Sequence, residues 1–429
     1  MNIIKMRWNM NYKTYKCNSF NVHTIKTNKF KTAHMEIIFR KKIVKEELST
    51  YSLLADILSL GNIDYPKRKD LIVKLEELYK SIIYATALKT GNIMNFSVIS
   101  DFINPEYIND ESYLENIIKL TFDLLQRPNV INEEFDLKSF NITKNKLKKE
   151  IEAIKDNPVN DSVRKALKAM DSNSPSSYFM LDNLEDLENI TPSSLYKAYK
   201  RLMKDFACDI FIIGDLDMDN VVSLIKKYFK KRYIVELNED LKVINEERKK
   251  VQVKEIDGNN IQANLVAIFN VNNLDEKEQD IVMHVFNYLY GNGGLTSKLY
   301  QSIREKNSLC YAINSMYLKY DSLLVVQLSL ENDCVNKAVS LIKKELKSMI
   351  QGNFSIEELK DACNNMMVSI DISGDNNISV LNNYVFHEFA NLMLLEDRKK
   401  AFKNVTKEEV INVARKIKLN TIFTLKGGN

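Results

Sequence analysis

Histidine is scarce in this sequence: there are four among 429 residues, and no two of them have the spacing of metal ligands on one helix. The five cysteines are scattered and never form a C-x-x-C pair, which argues against a zinc knuckle and against a disulfide framework. No apolar run approaches the roughly 20 residues of a membrane span, and residues 1–16 lack the continuous apolar core of a secretory signal. These absences favour a reduced cytoplasmic protein.

A large excess of one charge is also absent. Lys and Arg number 61 against 57 Asp and Glu, a net charge of +4, and the two signs are interspersed along the chain. This balance argues against a dedicated nucleic-acid binder. A hydrophobic content of 45% and a charged content of 28% are typical of a globular protein. The length suits two domains of about 200 residues each.

An internal duplication organises the chain. Residues 33–62 and 263–292 align at an offset of 230 with six identities, and each contains an apolar strand, an acidic helix start, an amphipathic helix and a Gly-Asn stop. A second pattern is repeated in the two halves. Thr191 and Thr406 each have the pattern of a helix N-cap, and Glu409 completes a capping box with Thr406. Each of these two helices leads into an apolar strand that ends at a glycine.

The duplication predicts an α+β fold of two domains, each a mostly antiparallel sheet packed by helices. We predict a first domain at 1–234 and a second domain at 251–429. The polar stretch between them, 235–250, has few apolar residues and no glycine, and is predicted to be a linker.

Three motifs in a fixed order resemble the pitrilysin/insulinase family of inverted zinc peptidases. They are Ile-Gly-Asp-Leu-Asp at 213–217, Gly-Asn-Gly-Gly-Leu-Thr-Ser-Lys-Leu at 291–299, and Arg-Glu-Lys-Asn-Ser-Leu-Cys-Tyr at 304–311. The resemblance covers nearly the whole chain and implies a metallopeptidase-like bowl half. It is closest in character to inactive bacterial members, including the group associated with modification of elongation factor P.

Active members carry H-x-x-E-H on the helix of the first domain, where two histidines bind zinc and the glutamate activates water. The corresponding positions here are Ser52, Ala55 and Asp56, none of which is a zinc-binding histidine. Glu150 corresponds to the third zinc ligand of the family, and Thr143 stands at its companion acidic position. We therefore expect a degenerate zinc site, and no metal or other cofactor on this chain.

The second half keeps two residues that the resemblance marks as functional. Arg304 and Tyr311 match the pair that binds substrate backbone or the developing oxyanion in active relatives. Arg304 is also the single arginine between Arg248 and Arg398 in a lysine-rich chain, and its planar fork suits carbonyl and carboxylate groups. The alternative is a surface Arg-Glu-Lys face followed by a core tyrosine.

Three functions are compatible with these residues. The first is a non-catalytic subunit of a heterodimeric peptidase, in which Arg304 and Tyr311 act on a peptide whose zinc lies on a homologous partner. The second is an inactive peptide-binding or assembly protein that holds an extended peptide at a sheet edge. The third, a peptidase that uses Asp56 and Glu150 alone, is disfavoured because two carboxylates prefer harder ions than zinc.

Overall fold

The structure of the protein is a computed structural model that describes residues 10–230 and 234–428. Its strands are β1 Asn11–Lys16, β2 Asn21–Lys26, β3 Thr32–Lys42, β4 Ile82–Thr90, β5 Ile93–Ile103, β6 Val130–Ile131, β7 Glu134–Phe135, β8 Ala207–Gly214, β9 Gln252–Asn260, β10 Ala263–Asn270, β11 Cys310–Leu318, β12 Leu323–Leu330 and β13 Lys418–Gly427.

The helices of the same residues are α1 Leu48–Leu58, α2 Arg68–Glu77, α3 Tyr113–Gln126, α4 Leu137–Ile154, α5 Pro158–Met170, α6 Leu184–Glu188, α7 Pro192–Asp205, α8 Met218–Tyr228, α9 Met283–Asn287, α10 Val335–Ile350, α11 Ile356–Gly374, α12 Asn377–Ala390, α13 Leu395–Lys403 and α14 Lys407–Lys416. Three π-helical turns are Glu278–Val282, Tyr288–Asn292 and Tyr300–Glu305. None of the helices in the described part of the chain is long and apolar enough to span a membrane.

Two sheets repeat one topology. The first has the order β1-β2-β8-β3-β5-β4 and the second has the order β11-β12-β10-β13-β9. In the first sheet β2 and β8 are parallel and the remaining neighbours are antiparallel. In the second sheet the parallel neighbours are β9 and β13. The series β2-β8-β3-β5-β4 therefore corresponds to β9-β13-β10-β12-β11, and the predicted α+β duplication is confirmed.

The two predicted helix caps are present. The Thr191 hydroxyl accepts from the backbone N–H of Ser194 at 3.1 Å, and the Ser194 hydroxyl accepts from the Thr191 N–H at 2.9 Å. The Thr406 hydroxyl accepts from the Glu409 N–H at 3.3 Å, and the Glu409 carboxylate accepts from the Thr406 N–H at 2.8 Å. Each capping box starts the helix that precedes β8 or β13, so both repeats enter their central strand in the same way.

The chain separates into two compact units that are not continuous in sequence. The first unit contains the described residues up to Ile151 with those of Phe179–Glu239 and Asp375–Val385, and the second contains the rest. This division differs from the predicted continuous domains because α5, from the first half of the sequence, packs on β10 and β13 of the second sheet.

The stretch predicted as a linker carries buried side chains. Leu241 and Val243 are 7% and 5% exposed, and Asn245 is 3% exposed. The Asn245 amide group donates to the Ser176 hydroxyl at 3.0 Å and to the Asp321 carbonyl at 2.6 Å. A buried amide is stable only with such partners, so residues 240–245 are part of the packing of the second unit.

Candidate functional site

Three of the four predicted degenerate zinc positions, Ser52, Ala55 and Asp56, lie on α1, which packs into the first unit through its apolar side chains. Tyr51, Leu54 and Leu58, at helical spacing, are buried. Ser52 and Asp56, four residues apart, share the partly exposed face of the helix. The Ser52 hydroxyl lies 3.1 Å from the carbonyl oxygens of both Leu48 and Met180, which share its one donor proton.

Ala55 and Thr143 contribute no metal ligand. Ala55 is 3% exposed and lies among the buried side chains of α1. Thr143, at the companion acidic position on α4, is also 3% exposed, and its hydroxyl donates to the Ser139 carbonyl at 2.8 Å. Ala55 therefore contributes to the packing of α1, and Thr143 to hydrogen bonding within α4.

A lysine joins the two carboxylates of the degenerate site. The Lys146 ammonium lies 2.8 Å from Asp56 Oδ2 on α1 and 3.5 Å from Glu150 Oε1 on α4. The hydrogen bond to Asp56 raises the pKa of Lys146 above its ordinary value, against partial desolvation. Sequence reasoning brought Asp56 and Glu150 together but missed Lys146, whose signal was its i, i+4 spacing from Glu150.

The residues at this position do not fit zinc. Of the four aligned positions, Ser52 bonds backbone carbonyls, Ala55 is apolar, and Asp56 and Glu150 share an ammonium. Across residues 10–230 and 234–428, no group of three or more His, Cys, Asp or Glu side chains is arranged to hold a metal ion. Tetrahedral protein zinc sites need three or four such ligands, and no catalytic step is assigned to a metal on this chain.

Arg304 lies on the π-helical turn Tyr300–Glu305 in the second unit. Its guanidinium carbon is 4.8 Å from the centroid of the Tyr300 ring, a cation–π contact. No carboxylate within the described residues forms an ion pair with it. The Ser308 N–H donates to the Arg304 carbonyl at 2.8 Å and closes the turn. The fork of hydrogen-bond donors on Arg304 is therefore held by stacking, without a carboxylate partner.

Tyr311 lies in a β-bulge of the edge strand β11. The pairing of β11 with β12 shifts between Cys310 and Ile313, and Tyr311 falls in this interval. Its side chain is 81% exposed. Bulges re-aim side chains and are frequent near functional sites. The alternative of a core tyrosine is thus wrong, because the bulge turns the ring and hydroxyl outward.

The segment that carries both residues is fixed by close packing of the glycine turn. A Cβ atom at Gly291 would lie 2.6 Å from Ser315 Cβ, and one at Gly293 would lie 2.6 Å from the Tyr288 carbonyl oxygen. Glycine is therefore required for the approach of this turn to β11. No hydrogen bond or cation–π contact joins the side chains of Arg304 and Tyr311 themselves.

Residues 189–366 match the family model described as the Peptidase M16 inactive domain. Over 414 residues the chain is 28% identical to the "Probable inactive metalloprotease YmfF" of Bacillus subtilis (strain 168), with 94% of this chain and 95% of that protein covered. Residues 189–366 are therefore similar to the inactive domain of M16 peptidases. Both descriptions include the word inactive, in agreement with the predicted resemblance to members without the zinc motif.

Solved structures share this fold over nearly the whole chain. A conserved protein from Enterococcus faecalis V583 superposes with a TM-score of 0.92 at 22% identity, covering 97% of this chain and 99% of that one. The M16 inactive domain from Pseudomonas fluorescens gives a TM-score of 0.79 at 17% identity, covering 98% and 99%. Arg304 and Tyr311 fall inside the matched M16 segment, whereas Ser52, Ala55, Asp56 and Glu150 precede it.

Proposed function

We propose that this chain is the non-catalytic subunit of a two-chain peptidase. In this role it supplies Arg304 and Tyr311 to a peptide that a homologous, zinc-bearing subunit cleaves. The observation that carries the proposal is the environment of Arg304. This partly buried residue stacks its guanidinium on the Tyr300 ring and has no carboxylate partner among the described residues. An arginine held in this way keeps its donors for a ligand.

The chemistry of the pair suits a peptide backbone. A guanidinium fork can donate two parallel hydrogen bonds to a carbonyl or carboxylate, and an exposed tyrosine hydroxyl adds a further donor. Donors aimed at a carbonyl that becomes an oxyanion stabilise the transition state more than the ground state. Tyr311 also lies on the exposed edge strand β11, next to which an extended peptide can align.

The test is peptidase activity on an unstructured peptide, measured for this chain alone, for its zinc-bearing homologue alone and for the mixture. We expect activity in the mixture. Arg304→Ala is expected to lower turnover of the mixture by about 10²–10³-fold, the typical effect of removing one oxyanion donor, and Tyr311→Phe by a smaller factor.

Lys306→Ala is the matched control, because Lys306 is an exposed cation two residues from Arg304. It should leave turnover of the mixture unchanged. Equal activity of the Arg304→Ala and wild-type mixtures would contradict the proposal that this chain is the non-catalytic subunit of a two-chain peptidase.

A second function, peptide binding or assembly without cleavage, is favoured by apolar side chains on an edge strand of the first sheet. The edge strand β4 exposes Ile82, Tyr84 and Leu88, which alternate along one face and are 55%, 36% and 58% exposed. Alternate apolar side chains along an edge strand form a surface for β-strand addition. An added strand would have to displace Ser59, whose hydroxyl accepts from the Ala85 N–H at 2.8 Å and donates to the Ala85 carbonyl at 3.3 Å.

This second function predicts a stable complex with a peptide or partner. The complex should have no peptidase activity, either with the wild-type chain or with Arg304→Ala. Ile82→Lys on β4 should then weaken binding of a fluorescent peptide by about tenfold or more. The matched control is Ile63→Lys, another exposed isoleucine of the first unit at 52% exposure. Equal binding by the two variants would exclude β4 as the docking edge.

A further inference from the structure

Asp56 and Glu150, the two carboxylates at the degenerate zinc positions, lie on different helices, α1 and α4. Both are partly solvated, with side chains 29% and 47% exposed. Two carboxylates that meet at one point repel each other unless a cation lies between them. Here the Lys146 ammonium, on α4, is the cation that lies against both carboxylates.

We propose that the Lys146 ammonium is the built-in cation of this position and that it closes Asp56 and Glu150 to divalent metal ions. Its Nζ atom is within hydrogen-bond distance of Asp56 and within ion-pair distance of Glu150. The lysine thereby cross-links α1 to α4. This assignment is independent of the role proposed for Arg304 and Tyr311.

The neighbouring lysines of α4 make a different set of contacts. Lys144 donates to the backbone carbonyls of Glu188 and Ile190, at 2.8 Å each, and Lys148 donates to the Glu188 carboxylate at 3.1 Å. Both therefore bind the segment that precedes α7. Lys146 is the lysine of this group that reaches α1, so its contact is directed to the degenerate site.

The other polar side chains at the aligned positions are neutral hydroxyls, which are poorer ligands for a divalent cation than carboxylates. The single proton of the Ser52 hydroxyl is shared between the carbonyls of Leu48 and Met180, and the Thr143 hydroxyl donates to the Ser139 carbonyl. A divalent ion would have to displace the ammonium to reach the two carboxylates. Those carboxylates prefer hard ions such as Mn²⁺ over zinc. Mn²⁺ is therefore a better test ion than Zn²⁺ for metal binding by Asp56 and Glu150.

The experiment compares the melting temperature and the Mn²⁺ binding of the full chain with those of Lys146→Gln. Because the Lys146 side chain is 59% exposed, the loss of its ion pairs should lower the melting temperature by only about 1–3 °C. Millimolar Mn²⁺ should restore that loss in Lys146→Gln and should leave the wild-type chain unchanged. Calorimetric titration should show one Mn²⁺ site in the variant.

Three further variants make the result specific. Lys146→Arg, which keeps the cation, should behave as wild type, and so should Lys149→Gln, an exposed lysine of the same helix. Adding Glu150→Gln to Lys146→Gln should abolish Mn²⁺ binding. Saturable Mn²⁺ binding by the wild-type chain would overturn the assignment, and so would a Lys146→Gln variant that binds no Mn²⁺ or melts like Lys149→Gln.

Discussion

The helix after the first long strand differs sharply between the two units. In the first unit it is the regular helix α1, whereas its counterpart at an offset of 230 residues is a π turn, the short helix α9 and a second π turn. The counterparts of Ser52, Ala55 and Asp56 are Val282, Val285 and Phe286, each 0% exposed.

The difference separates the roles of the two repeats. In the first unit Ser52 and Asp56, two of the predicted degenerate zinc positions, form a polar, partly solvated face, and Lys146 pairs with Asp56 there. The second unit uses the same positions as core. Its candidate functional residues lie instead on the segment that follows, where a π turn presents Arg304 and a bulge presents Tyr311. Such backbone irregularities are common at functional sites.

The sharpest test of this contrast is a pair of alanine substitutions at equivalent positions. Phe286 is fully buried and stacks on Tyr290 with a centroid distance of 5.3 Å. Phe286→Ala should therefore lower the free energy of unfolding by about 3–5 kcal/mol. Asp56→Ala removes only a solvated ion pair and should cost less than about 1 kcal/mol. Urea denaturation measures both, and comparable losses would contradict the division into a polar and a core position.

Histidines also have opposite surroundings in the two units. In the first unit His23 lies 3.3 Å from Asp209, and His34 lies 2.6 Å from Asp101. In the second unit His284 is surrounded by the rings of Tyr317 and Phe402 and lies in the field of two cations. Burial, then Arg398 and Lys319, lower the pKa of His284 to about 4. Asp280 is paired with Lys319 and offsets part of that field.

This contrast predicts acid sensitivity in the second unit. The pKa of His284 is lower in the folded state than the ordinary 6.5 of an unfolded chain, so the unfolded state binds the proton more tightly. Stability is therefore fully present above pH 6.5 and is lost as the pH falls toward 4, by an amount on the order of 2–3 kcal/mol. The free energy of unfolding, measured from pH 7.5 to 4, should fall less in His284→Asn. Parallel curves for the two proteins would remove His284 as the cause.

The ends of the two sheets offer a third matched pair. Asn104, fully buried, donates to the Phe30 carbonyl at 2.7 Å and accepts from the Asp215 N–H at 3.3 Å. Asn332, at the corresponding end of the second sheet, exchanges two hydrogen bonds with Gly427 but is solvent-exposed.

Asn104→Ala removes a fully buried side chain and leaves the Phe30 carbonyl and the Asp215 N–H without their partner, which should cost about 1–3 kcal/mol of unfolding free energy. In Asn332→Ala, water can replace the lost bonds, and the cost should stay below about 1 kcal/mol. Chemical denaturation of both variants distinguishes the two sites. A larger loss for Asn332→Ala would mean that the second sheet depends on this contact more than its exposure suggests.

Sequence predicted the features that local patterns encode. The duplication, the strand–helix order and the caps at Thr191 and Thr406 follow from periodicities and from residues three apart. Contacts between distant residues were missed. The bond from Lys146 to Asp56 spans 90 positions, and the packing of α5 on the second sheet depends on tertiary structure. The exposure of Tyr311 results from a bulge that no residue pattern marked, and the roles of Arg304 and Tyr311 stay predictions.

The smallest effects are expected at the two capping boxes, where the units are most alike. Thr191→Ala and Thr406→Ala each remove an acceptor for an N–H of the first helical turn, and each should cost about 1 kcal/mol. The loss at Thr406 should be slightly larger, because its hydroxyl also lies 2.9 Å from the Glu409 carboxylate, which in turn pairs with Lys277. Thr→Ser at either position keeps the hydroxyl and should restore most of the stability. Thermal unfolding of the four variants measures these losses. A Thr→Ala variant that melts at the wild-type temperature would show that the two caps do not contribute equally to stability.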